Sequence, residues 1–341
     1  MAASPKTNHI GLPLAAYRGA KSTLCKGCGH DVIANTIVSA FYDLGIEPHR
    51  VAKLSGIGCS SKTPAYFLGR AWGFNAVHGR MPSVATGALL ANRDLVGIGV
   101  SGDGDTASIG IGQFVHTVRR NLPLVYVVEN NGVYGLTKGQ FSATADQGSR
   151  LKNGREERFP AIDVLALAVH LGATYAARSF SADRAQLLEL LKGAIAHPGL
   201  AVIDVLSPCV TFNNHAGSTR SYDWGRSHQG PINEVGFVPA WEHPEVGSDE
   251  GKVVDVPMPD GGMLRVRCIG EDHDPRDKQQ AFELLARSYA AEEYLTGLYY
   301  LSSEPTLHEV LDLEDEVLAT LPESRVRPPR EALAAINDSF R

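Results

Sequence analysis

Nowhere in its 341 residues does the chain string together the roughly 18–20 apolar residues needed to cross a bilayer. Its start, Met1 to Gly19, lacks a basic flank followed by an apolar core, so it does not read as a signal peptide. A cytoplasmic, soluble protein is expected. Basic charge is also short. The 32 Lys and Arg against 38 Asp and Glu leave a net charge of −6. Nucleic-acid binding is set aside, because such proteins carry a basic excess. No internal repeat and no low-complexity tract occurs. Cysteine is scarce and odd in number: Cys25, Cys28, Cys59, Cys209 and Cys268. Such a handful in a large chain does not make a disulfide framework, which leaves metal binding or redox chemistry as the special uses.

What is present is enough to fold. Hydrophobic residues make up 43% and charged residues 21%, which excludes global disorder. Four apolar runs, 50–55, 95–100, 122–128 and 200–206, read as strands covered on both faces, as in parallel sheets. Helical spacing fills 31–44, 107–120, 161–171 and 183–196 between them. The alternation predicts an α/β fold with a mainly parallel sheet flanked by helices. Residues 1–20 read as an arm packing on something larger, 21–211 as the α/β domain, and 212–341 as a C-terminal extension. Within that extension, 212–262 is Gly-, Pro- and aromatic-rich and reads as an ordered excursion or partner-contacting surface. The pattern from Asp277 to Leu301 is helical, and 305–341 is charged and broken by proline.

Ligands of open parallel sheets sit at the carboxyl ends of the strands. Each apolar run stops at an unusual segment: Gly56-Ile57-Gly58-Cys59, Ser101-Gly102-Asp103-Gly104, Glu129-Asn130-Asn131-Gly132 and Ser207-Pro208-Cys209. These four segments are expected to converge on one site. Gly102-Asp103-Gly104-Asp105 lies between a strand and a helix, where glycines let backbone N–H groups approach a phosphate. A carboxylate there makes sense if a hard cation bridges it to the phosphate, so Asp103 is a candidate Mg²⁺ ligand and Asn131 a second, uncharged one. Alone, Gly-Asp-Gly is usually a tight turn. Paired with Asn130-Asn131 after 25 intervening residues, it is similar to the thiamine-diphosphate fingerprint. That likeness implies that Asp103, the Asn131 side chain and the Val133 carbonyl hold Mg²⁺ on a diphosphate.

Cys25 and Cys28 form a C-x-x-C in a Gly-rich loop, and Cys59 and Cys209 fall at two strand ends. Four thiolates suit zinc or an iron–sulfur cluster equally on chemistry alone, with buried free cysteines a weaker third reading. A thioredoxin-like C-x-x-C leaves Cys59 and Cys209 idle. Cys268 reads as an ordinary buried cysteine. Location favours the cluster, since a redox centre beside thiamine has a purpose and inert zinc has none.

Six motifs in order, Cys25-Lys26-Gly27-Cys28-Gly29-His30, Gly56 to Lys62, His78-Gly79-Arg80, Gly102 to Asp105, Asn130 to Gln140 and Ser207-Pro208-Cys209, together resemble the β subunit of the 2-oxoacid:ferredoxin oxidoreductases. The resemblance spans roughly residues 15–215. It implies a [4Fe–4S] cluster on Cys25, Cys28, Cys59 and Cys209. It implies Ile57 as the wedge that bends thiamine diphosphate, with Gly58, Cys59 and Ser60 lining it. His78, Gly79 and Arg80 are expected near the diphosphate with Gly102, Asp103, Gly104 and Asp105. Val133, Tyr134, Gly135, Leu136 and Thr137 are expected around the cofactor, and Lys62, Leu136 and Lys138 toward the substrate. Tyr134 is more often packing than chemistry, and His78 and Arg80 have structural alternatives as a core histidine and an ion-pair partner. The implied reaction is the reversible, coenzyme A-dependent oxidative decarboxylation of a 2-oxoacid, with electrons leaving singly to ferredoxin. The glutamate that thiamine enzymes use on the aminopyrimidine has no motif here. In the family it comes from the α subunit, so an obligate α partner and an αβ or (αβ)₂ assembly are expected. Lys62, Leu136 and the long tail look more like the 2-oxoglutarate branch than the pyruvate or branched-chain branches. Rival readings are a non-redox thiamine decarboxylase or carboligase and a zinc-stabilised non-catalytic subunit.

Overall fold

The four apolar runs become neighbouring parallel strands in the computed structural model, which describes residues 6–151, 154–245, 253–269, 273–291 and 293–341. β1 (Val51–Ser55) is flanked by β2 (Trp72–Asn75) and β3 (Val96–Gly102). β4 (Leu124–Asn130) follows β3, with the small hairpin β5 (Val133–Tyr134) and β6 (Gln140–Phe141) rising from its end. β7 (Tyr175–Phe180) and β8 (Ala201–Leu206) complete the parallel set, in the order β2-β1-β3-β4-β8-β7. Every residue of β1, β4, β7 and β8 is buried, as expected for strands covered on both faces.

Helices α1 (Gly29–Asp43), α2 (Met81–Ala91), α3 (Ile111–Arg119), α4 (Val164–Leu171) and α5 (Arg184–Ala196) cover the two faces. One hydrophobic cluster joins α1 and α5 to one face of the sheet, and a second joins α2, α3 and α4 to the other. The expected helix 107–120 is split, because a π-helical turn, Gly104–Ile109, precedes α3. Such turns widen a helix locally and often mark functional sites.

The arm packs on this chain's own body. Tyr17 is fully buried in the core, and Arg18 pairs with Phe67. Residues 1–5 of the arm and 246–252 of the excursion lie outside the described residues. The rest of the excursion forms α6 (Tyr222–His228), β9 (Gln229–Pro231) and β10 (Asn233–Val238). β10 pairs with β12 (Met263–Cys268), which also pairs with β11 (Val253–Pro257). Phe237, Met258, Leu264 and Val266 of this small sheet join the same cluster as Leu187, Leu190 and Leu191 of α5.

The helical pattern over 277–301 is corrected. Helix α7 (Lys278–Ala291) stops, and β13 (Tyr294–Leu301) runs antiparallel to β7 and parallel to β9. Thr296, Tyr299 and Tyr300 favour strand, and Gly297 takes a φ of +135° that no helix accommodates. Beyond it come α8 (Leu307–Val310), α9 (Glu323–Val326) and α10 (Arg330–Ser339), the last two without a buried residue. Among the described residues no helix is long and apolar enough to cross a membrane.

Candidate functional site

Strand register brings the motifs together. Ser55 pairs with Val100, Gly102 with Glu129, and Asn130 with Leu206, so the four strands leave the sheet along one edge. A cavity of about 120 Å³ opens there. It is lined by Ile57, Gly58, Cys59 and Ser60 after β1, by His78, and by Gly102, Asp103, Gly104 and Asp105 after β3. Asn131, Val133, Tyr134, Gly135, Leu136 and Thr137 after β4 complete it, together with His30 of α1. Arg80, Lys62 and Lys138 are exposed and stand outside this lining, as does Gly79.

Asp103 is buried. Its carboxylate accepts hydrogen bonds from the Ser142 hydroxyl, from Thr144 Oγ1 at 2.7 Å and from the Asn131 backbone N–H at 3.3 Å. Burial pushes its pKa up, opposed by these hydrogen bonds and by the charge of Arg220. The Asn131 amide oxygen accepts from the Val133 N–H at 2.9 Å, which folds the Asn-Asn-Gly segment into a tight turn with Gly132 at φ +72°. Asp103, Asn131 and Val133 thus offer a buried carboxylate and neutral oxygens to one small space, a donor set suited to a hard cation such as magnesium. Glycine is required beside them. A side chain at Gly104 would collide with the Tyr134 ring, and one at Gly102 would lie 3.0 Å from the Ser60 hydroxyl.

Asp105 has a different part. Its carboxylate accepts from Ser101 Oγ at 2.7 Å and the Gly79 N–H at 2.7 Å, and it touches His78 Nδ1 and, at 3.4 Å, the Ile57 N–H. It therefore ties the β1 loop, the 78–79 turn and β3 into one wall. Gly79 takes a φ of +70°, and a side chain there would strike Gly110. Arg80 is the N-cap residue before α2 and donates to the Gly79 carbonyl at 3.2 Å.

The thiols gather on the same side. A side chain at Gly135 would come 3.4 Å from Cys209 Sγ and 3.6 Å from Cys59 Sγ, so both sulfurs face that glycine. Burial pushes the Cys28 thiol up to about 12, with the charges of Glu129, Cys209 and Asp31 adding to it. Burial also raises Cys59, reinforced by Cys209 and Cys25. Cys25 is exposed and accepts from Thr211 Oγ1 at 3.5 Å. Among the described residues no three His, Cys, Asp or Glu converge as ligands of a single ion. Tetrahedral zinc needs sulfurs about 2.3 Å from one centre, whereas an iron–sulfur cluster spreads its cysteines around a larger body. Four thiols on one rim suit either group by ligand chemistry alone. Cys268 lies elsewhere, buried, with its thiol donating to the His273 carbonyl.

Two buried residues under the site lie within the sequence motifs but are given no role there. His30 Nδ1 lies 3.1 Å from Glu129 Oε2, and its Nε2 lies 3.4 Å from Asn131 Nδ2. Thr63 Oγ1 donates to Glu129 at 3.0 Å. Burial lowers the His30 pKa to about 4 and raises Glu129 well above the usual carboxylate range. Their positions, directly after Cys28-Gly29 and directly before Asn130-Asn131, were the available signal.

Residues 56–205 match the family model of the thiamine pyrophosphate enzyme C-terminal, TPP-binding domain. A 2-oxoacid:ferredoxin oxidoreductase subunit β from a Sulfolobus species is 44% identical over 230 residues, covering 67% of this chain and 73% of that one. The same subunit of Saccharolobus solfataricus is 44% identical over 56% of this chain, a match spanning 63% of the relative's length. The 2-oxoglutarate oxidoreductase subunit KorB of Mycobacterium tuberculosis is 40% identical over 56% of this chain and 51% of its own. Among solved structures, 2-oxoglutarate:ferredoxin oxidoreductase from Magnetococcus marinus, with 2-oxoglutarate, coenzyme A and succinyl-CoA bound, superposes with a TM-score of 0.74 at 31% identity. That match covers 95% of this chain and 98% of the other.

Proposed function

Because the chain belongs to the family of 2-oxoacid:ferredoxin oxidoreductase β subunits, we propose that it holds thiamine diphosphate, Mg²⁺ and one [4Fe–4S] cluster and acts on 2-oxoglutarate. The products are succinyl-CoA and CO₂, with ferredoxin as the electron acceptor. The observation that carries this reading is the shared cavity. Oxygen donors Asp103, Asn131 and Val133 and the thiol of Cys59 line the same space, and Cys209 lies across Gly135.

When bound, thiamine diphosphate supplies an electron sink for decarboxylation and the cluster supplies a one-electron acceptor. The chain's own residues supply place and charge. Asp103, the Asn131 side chain and the Val133 carbonyl hold the metal. Gly102 and Gly104 keep the backbone open to the diphosphate, while Asp105 holds His78 and Ile57 in the cavity wall. Ile57, half-buried after β1, is the wedge beneath the cofactor, with Gly58 at φ +125° letting the chain turn directly after it. Cys25, Cys28, Cys59 and Cys209 hold the cluster beside it. Lys62, Leu136 and Lys138 stand at the mouth, where a fixed cation offsets the carboxylates of the substrate. Lys138 adopts a φ of +80°, a conformation that side chains rarely take and that turns the β5–β6 hairpin outward.

The mouth is incomplete. Leu136 of the lining and Val77 beside His78 are exposed large apolar residues, as is Ile109 next to the 78–79 turn, and Trp72 and Phe74 are exposed farther along β2. Apolar surface of this extent beside a cofactor site calls for a partner. The α subunit fills that place, brings the glutamate for the aminopyrimidine and completes an αβ or (αβ)₂ enzyme in the cytoplasm. The KorB relative and the Magnetococcus complex are named for 2-oxoglutarate, which supports that substrate, while the two 2-oxoacid relatives name none. The two mouth lysines add to that choice, because 2-oxoglutarate carries two carboxylates.

The test is a substrate comparison on the αβ complex purified without oxygen, with coenzyme A and a ferredoxin. A kcat/KM for 2-oxoglutarate at least roughly tenfold above those for pyruvate and branched-chain 2-oxoacids supports the reading, about 1.4 kcal/mol in transition-state binding. A reversed order keeps the chemistry and discards the substrate.

A further inference from the structure

We propose that Arg220, in the segment after Cys209, is a positioning residue for the metal end of the site, holding Asp103 from behind through Thr144 while its neighbour Asn213 holds Asn131. This rests on the thiamine diphosphate reading and adds a part for residues 213–221, which the sequence leaves as an unassigned excursion.

Arg220 is nine-tenths buried. One terminal nitrogen donates to the Thr144 carbonyl at 2.8 Å and lies 3.4 Å from Asp146. The other donates to the Tyr294 hydroxyl on β13, and the guanidinium lies 5.1 Å from that ring's centre. The aliphatic stem packs on the metal-binding turn, since a side chain at Gly132 would sit 3.4 Å from Arg220 Cγ. Arg220 does not touch the cavity that holds Asp103; it touches what holds Asp103.

The relay is short. The Thr144 hydroxyl donates to Asp103 at 2.7 Å and lies 3.0 Å from the Asn130 amide oxygen. With its carbonyl pinned by Arg220, Thr144 has its hydroxyl fixed on the carboxylate. The same segment grips the second ligand, because Asn213 Nδ2 donates to the Asn131 carbonyl at 2.9 Å. Ser218 Oγ donates to the Asn213 side chain at 2.7 Å and accepts from the Arg220 N–H at 3.1 Å, which makes 213–220 a closed strap. Ser221 then caps α6. A buried guanidinium with several acceptors fixes geometry better than a lysine would, because its planar fork is pre-organised. Outer residues that orient metal ligands typically change metal affinity by about 10–100-fold when removed.

The experiment uses the αβ complex, stripped of metal by a chelator and refilled with Mg²⁺ and thiamine diphosphate while binding is followed by calorimetry. Arg220→Met is expected to weaken cofactor binding by about 10–100-fold, with iron content unchanged and the KM for the 2-oxoacid within about twofold. Arg220→Lys should recover part of the loss. In the cofactor-free complex, amide hydrogen exchange over residues 142–146 should be faster in Arg220→Met than in the wild type. Tyr294→Phe removes only the outer anchor and should shift affinity in the same direction by a few-fold, which serves if Arg220→Met does not fold. Wild-type affinity and wild-type exchange at 142–146 in the variants would overturn the inference. So would a lower melting temperature as the sole change. A wild-type complex that binds no thiamine diphosphate would overturn the functional reading and this inference together.

Discussion

The two ends of the cavity are built on opposite terms. At the diphosphate end, Asp103 is 1% exposed, Asn131 5% and Glu129 0%, and the side chains of Asp103, Asn131 and Thr63 are held by partners within the chain, while Glu129 Oε1 has none among the described residues. At the mouth, Leu136 is 52% and Val77 76% exposed, and Lys62, Lys138 and Cys25 face outward. A buried polar site must be finished by its own chain, because each unpaired group there costs folding free energy. An exposed rim carries no such demand and can be completed by another subunit. On the proposed function, the β chain finishes the cofactor's grip and leaves substrate and electron exit to an interface.

The sharpest way to break the buried end is Asp103→Ala. Loss of the metal carboxylate should lower kcat/KM of the αβ complex by roughly a thousandfold or more, about 4 kcal/mol, with thiamine diphosphate content falling alongside. Steady-state kinetics with a cofactor assay checks it. Arg178→Met separates stability from cofactor binding. Arg178 bridges Asp163 at 2.7 Å and Asp204 at 3.1 Å, Arg178 and Asp204 buried and Asp163 half-buried. Burial alone would raise the Asp163 pKa, but the Arg178 charge outweighs it and holds the carboxyl low. Removing the cation should destabilise the fold by about 3–5 kcal/mol, read as a lower unfolding midpoint, while Asp103 and Asn131 keep their contacts.

A third prediction concerns pH. Burial lowers the His197 pKa to about 4, and its Nε2 lies 2.8 Å from the Thr174 hydroxyl. The unfolded chain binds this proton near pH 6.5 and the folded chain only near 4. The contribution is therefore complete above pH 6.5 and lost progressively as pH falls from 6.5 to 4, about 3 kcal/mol in all. Denaturant unfolding at several pH values should show that slope, and His197→Gln should reduce it, with buried His30 contributing the remainder. The smallest effects belong to the rim. Lys62→Ala should raise the KM for 2-oxoglutarate by about tenfold and leave thiamine diphosphate affinity unchanged. Lys138→Gly keeps the positive φ that the turn demands, so any rise in KM reports the lost charge rather than a distorted hairpin.

The sheet's centre was legible because β1, β3, β4 and β8 are near-continuous apolar runs, each ending in a Gly-, Asn- or Cys-bearing segment. β7 was missed because Arg178 interrupts its apolar run, and only the fold supplies Asp163 and Asp204 to pay for that charge. β13 was read as helix because its spacing continues that of α7, and pairing with β7 overrode the pattern. In the site, Asp103, Asn131 and Ile57 could be read from local motifs. His30 and Glu129 could not, since a lone His and a lone Glu acquire meaning only when α1 and β4 place them 3.1 Å apart. Arg220 lies 117 positions beyond Asp103 in number (220 − 103), and no spacing rule connects them.

The central claim is a thiamine site and a cluster in one β chain. The αβ complex, purified without oxygen, is analysed for iron and its visible and EPR spectra are recorded before and after 2-oxoglutarate and coenzyme A. The account predicts a brown protein with about four irons held by Cys25, Cys28, Cys59 and Cys209, lost in Cys28→Ser and Cys209→Ser, and bleaching on substrate addition. A colourless complex containing zinc, or iron content indifferent to those two substitutions, would contradict it.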